Sequence, residues 1–239
     1  MHGFIDLKQA QLFIRDGYTN AGAVNNALGY TTTSTTMAVD GITGIIPTGT
    51  VFTLAGDDTE YEILSHTETT GNTTSVTFTP GLVIAATDNE VITFHPHQIE
   101  VRIGEGNFTY DKKRSRQYKK NRGRLDVVRD GDEEQLDITF DFVWDHIIGT
   151  SGDPVNVEEA LDGIGNASSW VSSATESCEP YAVDLIILYK PICTSEDWEQ
   201  IVFEDFRYES LNHNLKEGTV ACKGSCNRTT PTITRIAAA

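Results

Sequence analysis

Over most of the chain apolar and polar residues alternate with a period of two, the signature of half-buried strands. The most regular case is 136–144: Leu136, Ile138, Phe140, Phe142 and Trp144 define one apolar face, with Asp137, Thr139 and Asp141 opposite. Ile99, Val101 and Ile103 share a face against Glu100 and Arg102, and Leu12 and Ile14 mark a strand near the N-terminus. Tyr181, Val183, Leu185, Ile187 and Tyr189 form a further face. Their neighbours Ala182, Ile186 and Leu188 are apolar too, so this strand is expected to be central and covered on both sides, with Asp184 as the exception.

A separate set of short strand-like runs lies between a small-residue link at 19–23 and residue 95: 36–39, 50–54, 60–64, 75–78 and 90–94. Turn signals punctuate them at Asp40-Gly41, Pro47-Thr48-Gly49, Gly56-Asp57-Asp58, Gly71-Asn72 and Pro80-Gly81. Short strands at such spacing predict a small barrel or sandwich, with no competing helical period. One helix is expected around 156–163, where Asn156 can cap, Glu159 can close a capping box and Gly163 can end the turn. The expected fold is mainly β with one short α-helix. Its main domain is discontinuous, 1–19 and 96–239, and 20–95 is an inserted small all-β domain.

Charge sharpens this division. The 239 residues carry 18 Lys+Arg against 35 Asp+Glu, a net charge of −17. No Lys or Arg occurs between Asp16 and Val101, a stretch with ten acids. Residues 112–129 then hold nine of the 18 basic residues and one acid, a local charge of +8 against −25 for the remainder. The overall acidity argues against nucleic-acid binding by the protein as a whole. The basic block is either a solvated hairpin or loop, or an element that docks on an acidic face of another subunit. Tyr110 and Tyr118 are the only aromatics beside it, and no RNA-binding signature surrounds them, so a protein contact is the favoured reading over single-strand binding. No apolar run approaches the ~20 residues of a membrane helix. The opening Met1-His2-Gly3-Phe4-Ile5-Asp6 does not read as a secretory signal.

Candidate chemistry is sparse. Cys178, Cys193, Cys222 and Cys226 lie near the C-terminal end. Val220, Cys222, Gly224 and Cys226 read as one strand face, which sets Cys222 and Cys226 about 14 Å apart, too far to pair or to share zinc. Buried thiols, zinc, and disulfides within or between chains stay open as readings. His95-Pro96-His97 offers two imidazoles but nothing nearby completes a metal set, so a solvated turn is expected. Asp130-Gly131-Asp132-Glu133-Glu134 lacks the spacing of a calcium loop and reads as a hairpin turn before the strongest strand. Gly104-Glu105-Gly106 has no third glycine or following helix to make a phosphate cradle. No nucleophile motif is present; no cofactor and no enzymatic activity are expected.

Several segments in order resemble the major tail proteins of tailed bacteriophages, the subunits of the tail tube. They are Val101-Arg102-Ile103-Gly104-Glu105-Gly106-Asn107-Phe108-Thr109-Tyr110 running into the basic block and on to 122–133; 136–144 with the helix around Val157-Glu158-Glu159-Ala160-Leu161; and Phe206-Arg207-Tyr208-Glu209 through Leu215-Lys216-Glu217-Gly218-Thr219 to Gly224-Ser225-Cys226-Asn227 and 231–235. The likeness covers about 1–18 and 96–239; the Thr-rich insert, with 46–56, looks like β modules carried by various phage structural proteins and departs from a minimal tube subunit.

The resemblance implies a tail-tube-type β-barrel or sandwich in six-fold rings, stacked into a hollow tube through which the genome passes without specific binding. It implies a virion protein assembled in the bacterial cytoplasm. Partners would be further copies of itself and the sheath, baseplate and terminator proteins, with no membrane. The charge separation suits a sheath partner and so favours a contractile tail. Lys112, Lys113, Arg114, Arg116, Lys119, Lys120, Arg122 and Arg124 would make inter-subunit or ring-stacking contacts, Asp137 and Asp141 would face the lumen, and the four cysteines would be available for inter-subunit disulfides. The alternatives are a terminator, baseplate or tail-tip ring of the same fold, or a receptor- or glycan-binding module carried by the insert, against which the insert's few exposed-looking aromatics beyond Tyr61 and Phe94 count.

Overall fold

A computed structural model describes residues 10–42, 46, 49–68, 73–103, 107–122, 124–144, 155–174, 176, 178–189 and 198–236. The expected turns at Pro47-Thr48 and Gly71-Asn72, the Gly104-Glu105-Gly106 segment, the opening residues 1–9 and Cys193 lie outside them. The fold is mainly β, with 57% of residues in strands and one short helix.

The chain divides into two compact units. The first takes Met1–Arg15, Gln98–Ala167 and Ser172–Ala239; the second takes Asp16–His97 and Ser168–Val171.

The second unit is a closed six-stranded barrel of β2 (Asn20–Val24), β3 (Thr36–Asp40), β4 (Val51–Leu54), β5 (Asp57–Glu68), β6 (Thr73–Thr79) and β7 (Val91–His95), in the order β2-β3-β6-β5-β4-β7. Closure leaves it no free edge strand. Alternation fills its interior: Met37, Val39, Phe52, Tyr61, Ile63, Val76, Phe78 and Ile92 are each at most 1% exposed. Phe52 sits at the centre, 5.3 Å from the Tyr61 ring, 5.2 Å from Phe78 and 5.8 Å from Phe94. Tyr61 and Phe94 are therefore core, not surface, which removes the two aromatics on which a sugar reading of this unit rested.

Strand β2 was expected to be a link. Its small residues are a packing requirement: a Cβ on Gly22 would stand 2.8 Å from both Asp40 O and Val39 Cγ1 on the neighbouring β3. Strands that need small side chains at a close crossing lose the apolar alternation by which sequence reveals them.

The first unit is built on an eight-stranded antiparallel sheet. Its strands are β1 (Ala10–Arg15), β8 (Gln98–Val101), β9 (Phe108–Asp111), β12 (Leu136–Val143), β13 (Val183–Tyr189), β14 (Trp198–Asn214), β15 (Thr219–Cys226) and β16 (Thr232–Ile236). The order is β8-β1-β13-β14-β15-β12-β9, with β16 also pairing β14. Strands β8 and β9 at the two ends of this order are successive in the chain, and Arg102 O, just after β8, accepts the N–H of Val143 at the end of β12 at 2.8 Å, so the sheet curls on itself. Phe108 and Tyr110 of β9 meet Phe203 of β14 at 5.3 and 5.2 Å, and Phe140 of β12 meets Phe206 at 6.0 Å.

Strand β12 follows its pattern through Phe142, with Leu136, Ile138, Phe140 and Phe142 each at most 2% exposed. Trp144 departs from it. The strand stops at Val143, and Trp144 is 46% exposed with its ring edge on His213 at 5.3 Å. Helix α1 (Val157–Asp162) forms as its caps require: Asn156 Oδ1 accepts the Glu159 N–H at 2.8 Å, Glu159 accepts the Asn156 N–H at 3.2 Å, and Gly163 ends it at φ 64°. Glycine is needed between β14 and β15 as well, since a Cβ on Gly224 would stand 2.2 Å from Arg207 O.

Asp184, the polar exception on β13, is buried beside the equally buried Asp205, which occupies a left-handed conformation (φ 57°) next to a register shift in β13–β14 pairing. Asp184 accepts from Arg15 at 3.0 Å and from the Asp205 N–H at 3.2 Å. Burial holds the Asp205 carboxyl above its ordinary range. A folded-state value raised above the unfolded one, about 3.9, weakens the fold once the group ionises, and the penalty disappears as pH falls through the unfolded value. Asp205→Asn keeps a residue that accepts the left-handed region. It is expected to raise the urea midpoint at pH 7, with the difference from the wild type vanishing at pH 3. An Asn variant no more stable at pH 7 refutes the assignment.

Candidate functional site

Strands β10 (Arg116–Asn121) and β11 (Arg124–Asp130) form a separate two-stranded sheet from the basic block. The pairs are Arg116 with Asp130, Gln117 with Arg129, Tyr118 with Val128, Lys119 with Val127, Lys120 with Leu125 and Asn121 with Arg124, with a bulge after Lys119. The turn falls at Arg122, which takes a left-handed φ of 50°. Asp130-Gly131 is thus not the hairpin turn expected from sequence; it closes the base, where the Gly131 N–H donates to Ser115 O at 2.9 Å. The hairpin's partner strands are β10 and β11, not β11 and β12.

All described side chains of both strands are exposed. Opposed residues share a face, so the register sorts them. One face carries Lys119, Arg124, Val127 and Arg129 with Gln117 and Asn121; the other carries Tyr118, Leu125 and Val128 with Arg116, Lys120 and Asp130. Leu125 is 66% exposed, Tyr118 56% and Val128 53%, a set of side chains that no described residue covers. A lone two-stranded hairpin is at best marginally stable in water. Here one face mixes exposed Tyr118, Leu125 and Val128 with Arg116, Lys120 and Asp130, and the other carries Lys119, Arg124 and Arg129.

The eight basic candidates do not behave alike. Arg116, Lys119, Lys120, Arg122 and Arg124 lie on the hairpin or its turn; Lys112, Lys113 and Arg114 lie on the non-strand connection from β9 that leads to it. Lys113 Nζ is bound to Asp137 of β12, so it is committed within its own chain, and the same contact occupies one of the two expected lumen carboxylates. That bond lowers the Asp137 pKa and raises that of Lys113. Asp141 stays half-buried, on a face of β12, β15 and β14 that is mostly polar: Thr139, Lys223, Ser210, Asn212 and Asn214 lie on it, with Ala221 opposite Asp141 and Val143 two residues on as the apolar members.

Cysteine positions are decided by strand phase. Cys222 and Cys226 project from β15 into the core, 0% and 1% exposed, and burial pushes both thiols up to about 12. Neither sulfur presents a surface to a neighbouring molecule. Cys178 is exposed and free. Among the described cysteines the expectation of inter-subunit disulfides therefore narrows to Cys178.

His97 is not the solvated residue expected. Its side chain is 10% exposed, its Nδ1 lies 2.7 Å from Asp16 Oδ2, and its ring stacks on Trp170 at 5.9 Å. Asp16 also accepts N–H donors from Tyr18 at 3.2 Å, His97 at 2.9 Å and Val171 at 3.1 Å. A fully buried carboxylate with four donors is a structural lock that ties three chain segments at the base of the barrel unit. Thr50 Oγ1 stands 3.5 Å from His97 Nε2, which gives the outline of an acid–imidazole–hydroxyl relay. Thr50 is 0% exposed, so no substrate could reach that hydroxyl. The distant contribution of Trp170 and Val171 carried no sequence signal. Among the described residues no group of His, Cys, Asp and Glu is arranged to hold a metal ion, and no helix is long and apolar enough to cross a membrane.

The chain matches no protein-family model, no curated protein and no solved structure.

The thiol assignments give a direct check. Iodoacetamide on the native protein at pH 8 is expected to alkylate Cys178 and to spare Cys222 and Cys226 until urea unfolds the chain. Peptide mass mapping with either of the latter labelled at the Cys178 rate would overturn their burial.

Proposed function

We propose that the protein is a structural virion subunit of a bacteriophage tail. Copies associate in rings, six-fold by the family resemblance, that stack into the tail tube and conduct the genome during ejection. The observation that carries this reading is the β10–β11 hairpin: a fully exposed two-stranded arm bearing nine of the chain's 18 basic residues, with its lead-in, on a chain whose remainder sums to −25. Such an arm is complementary to another copy and repelled by its own counterpart.

The segments that resemble tail tube proteins lie in the curled sheet and in the hairpin. A sheet whose alternation puts Leu136, Ile138, Phe140 and Phe142 inside leaves a polar outer face. Joined around a ring, polar faces of this kind make a hydrophilic channel wall, and an acidic balance keeps phosphates from adhering. The role is structural, and no catalytic step is assigned. The closed barrel of Asp16–His97 is read as a decoration of the tube subunit; a sheath is a natural further partner for it.

Negative-stain microscopy of the expressed full chain tests the reading. Tubes of uniform width are expected. Isolated rings that never stack would favour the terminator or baseplate alternative, and a monomer at every salt concentration would reject both. Charge reversal at Lys119, Lys120 and Arg122 is expected to abolish stacking, because all three side chains are exposed and on the arm. Tubes of normal length from that variant would remove the hairpin from the mechanism.

A further inference from the structure

The hairpin's basic face carries Lys119, Arg124 and Arg129 around Val127, and none of these three cations is ion-paired among the described residues. What it docks on can be sought by sign and geometry. The barrel unit stands out: Asp16–His97 contains nine acids and no lysine or arginine, so no cation of its own neutralises them. Its acids are not evenly placed. On β5, Tyr61 and Ile63 point inward at 0% exposure, which turns Glu60, Glu62 and Leu64 outward. Glu60 and Glu62 are exposed, without an ion-pair partner among the described residues, and Leu64 is 50% exposed beside them. The strands on either side add no opposing charge: Val51 of β4 and Thr79 of β6 are the register partners of Glu62.

This wall and the hairpin face match in three respects. Their charges are opposite. Each sets one exposed aliphatic side chain, Leu64 or Val127, among its charged ones. Both are extended strands, so same-face side chains repeat at about 6.6–6.8 Å on each and can meet in register. Both are also made of hydrogen-bonded backbone, so little conformational entropy is lost on docking beyond that of the long side chains.

We propose that the basic face of the β10–β11 hairpin docks on the β4–β5–β6 wall of the barrel unit of a second copy, with Glu60 and Glu62 receiving Lys119, Arg124 and Arg129. This rests on the self-assembly reading above and names the receptor surface for it. It gives the inserted barrel a role in assembly: it is the acceptor for the neighbouring arm. The contact is head-to-tail, so each copy donates one hairpin and offers one wall.

The test is a charge swap in the full-length chain, read by sedimentation velocity and negative stain. Glu60→Lys with Glu62→Lys is expected to weaken self-association at least tenfold. Lys119→Glu with Arg124→Glu and Arg129→Glu is expected to do the same. Combining all five should restore most of it, because opposite signs again face each other. The neutral pair E60Q/E62Q should lower association less and flatten its salt dependence, which keeps the test decisive if a reversal variant misfolds by circular dichroism. Wild-type assembly in E60K/E62K, with loss only in the hairpin variant, would place the arm on another acidic surface such as 130–134 and overturn this inference while leaving the tube reading intact. A wild-type chain that never associates would overturn both.

Discussion

Strand β14 is the constraint on which the larger unit depends. Its first half lies between β13 and β16, and its second half pairs β15, so this one central strand joins the two halves of the sheet. Phe203 and Phe206 project from it into the core at 0% and 1% exposure, where β9 and β12 close over them. A strand that must satisfy different partners along its length needs to bend. The register shifts near Asp205 and after Tyr208 supply the bends, and the left-handed Asp205 and the buried Asp184 are their consequence. The buried carboxyls are thus a cost of the sheet's curvature, offset in part by Arg15 and Arg228 at 3.0 and 3.6 Å.

The sequence pattern made some of this legible. Wherever one strand face is core and the other is solvent, alternation reports it, as in β12 and β15. The cap residues Asn156, Glu159 and Gly163 encode the helix locally, so it reads correctly at six residues. Failures have a common physical origin in contacts between residues distant in the chain. Gly22 is small because β3 crosses close to it, His97 is buried because Asp16 and Trp170 meet it, and Trp144 leaves its face because the strand ends one residue earlier. The hairpin was visible as a charge block, but its turn was misplaced: Asp130-Gly131 has the stronger local turn chemistry, whereas pairing between β10 and β11 sets the turn at Arg122.

The candidate surface was legible only as charge. Composition locates +8 within 112–129, but it cannot separate Lys113, which is bound to Asp137, from Lys119, which has no ion-pair partner among the described residues. Nor can it reveal that Tyr118, Leu125 and Val128 share a face, since the bulge after Lys119 shifts the register that aligns them. Cysteine is the converse case. Strand phase alone put Cys222 and Cys226 on one face, and the structure adds that the face is the core, which turns two candidates for exposed chemistry into packing residues.

Segregated charge constrains the symmetry of the proposed assembly. A two-fold contact through the hairpin would bring two blocks of +8 together, whereas a head-to-tail contact sets the block against acid. Head-to-tail contacts close into rings or continue as helices, and a tube uses both. Each exposed ion pair contributes only about 0–1 kcal/mol in physiological salt, so a single hairpin contact is weak and reversible. Between the proposed six-fold rings such contacts would act together, the second to sixth forming at the high effective concentration that the first creates. Weak individual contacts let a misplaced ring leave, and their repetition makes a correctly placed one stay. A strong apolar interface at the same place would lose that correction, which is a physical reason for an assembly arm to be charged on one face and only modestly apolar on the other.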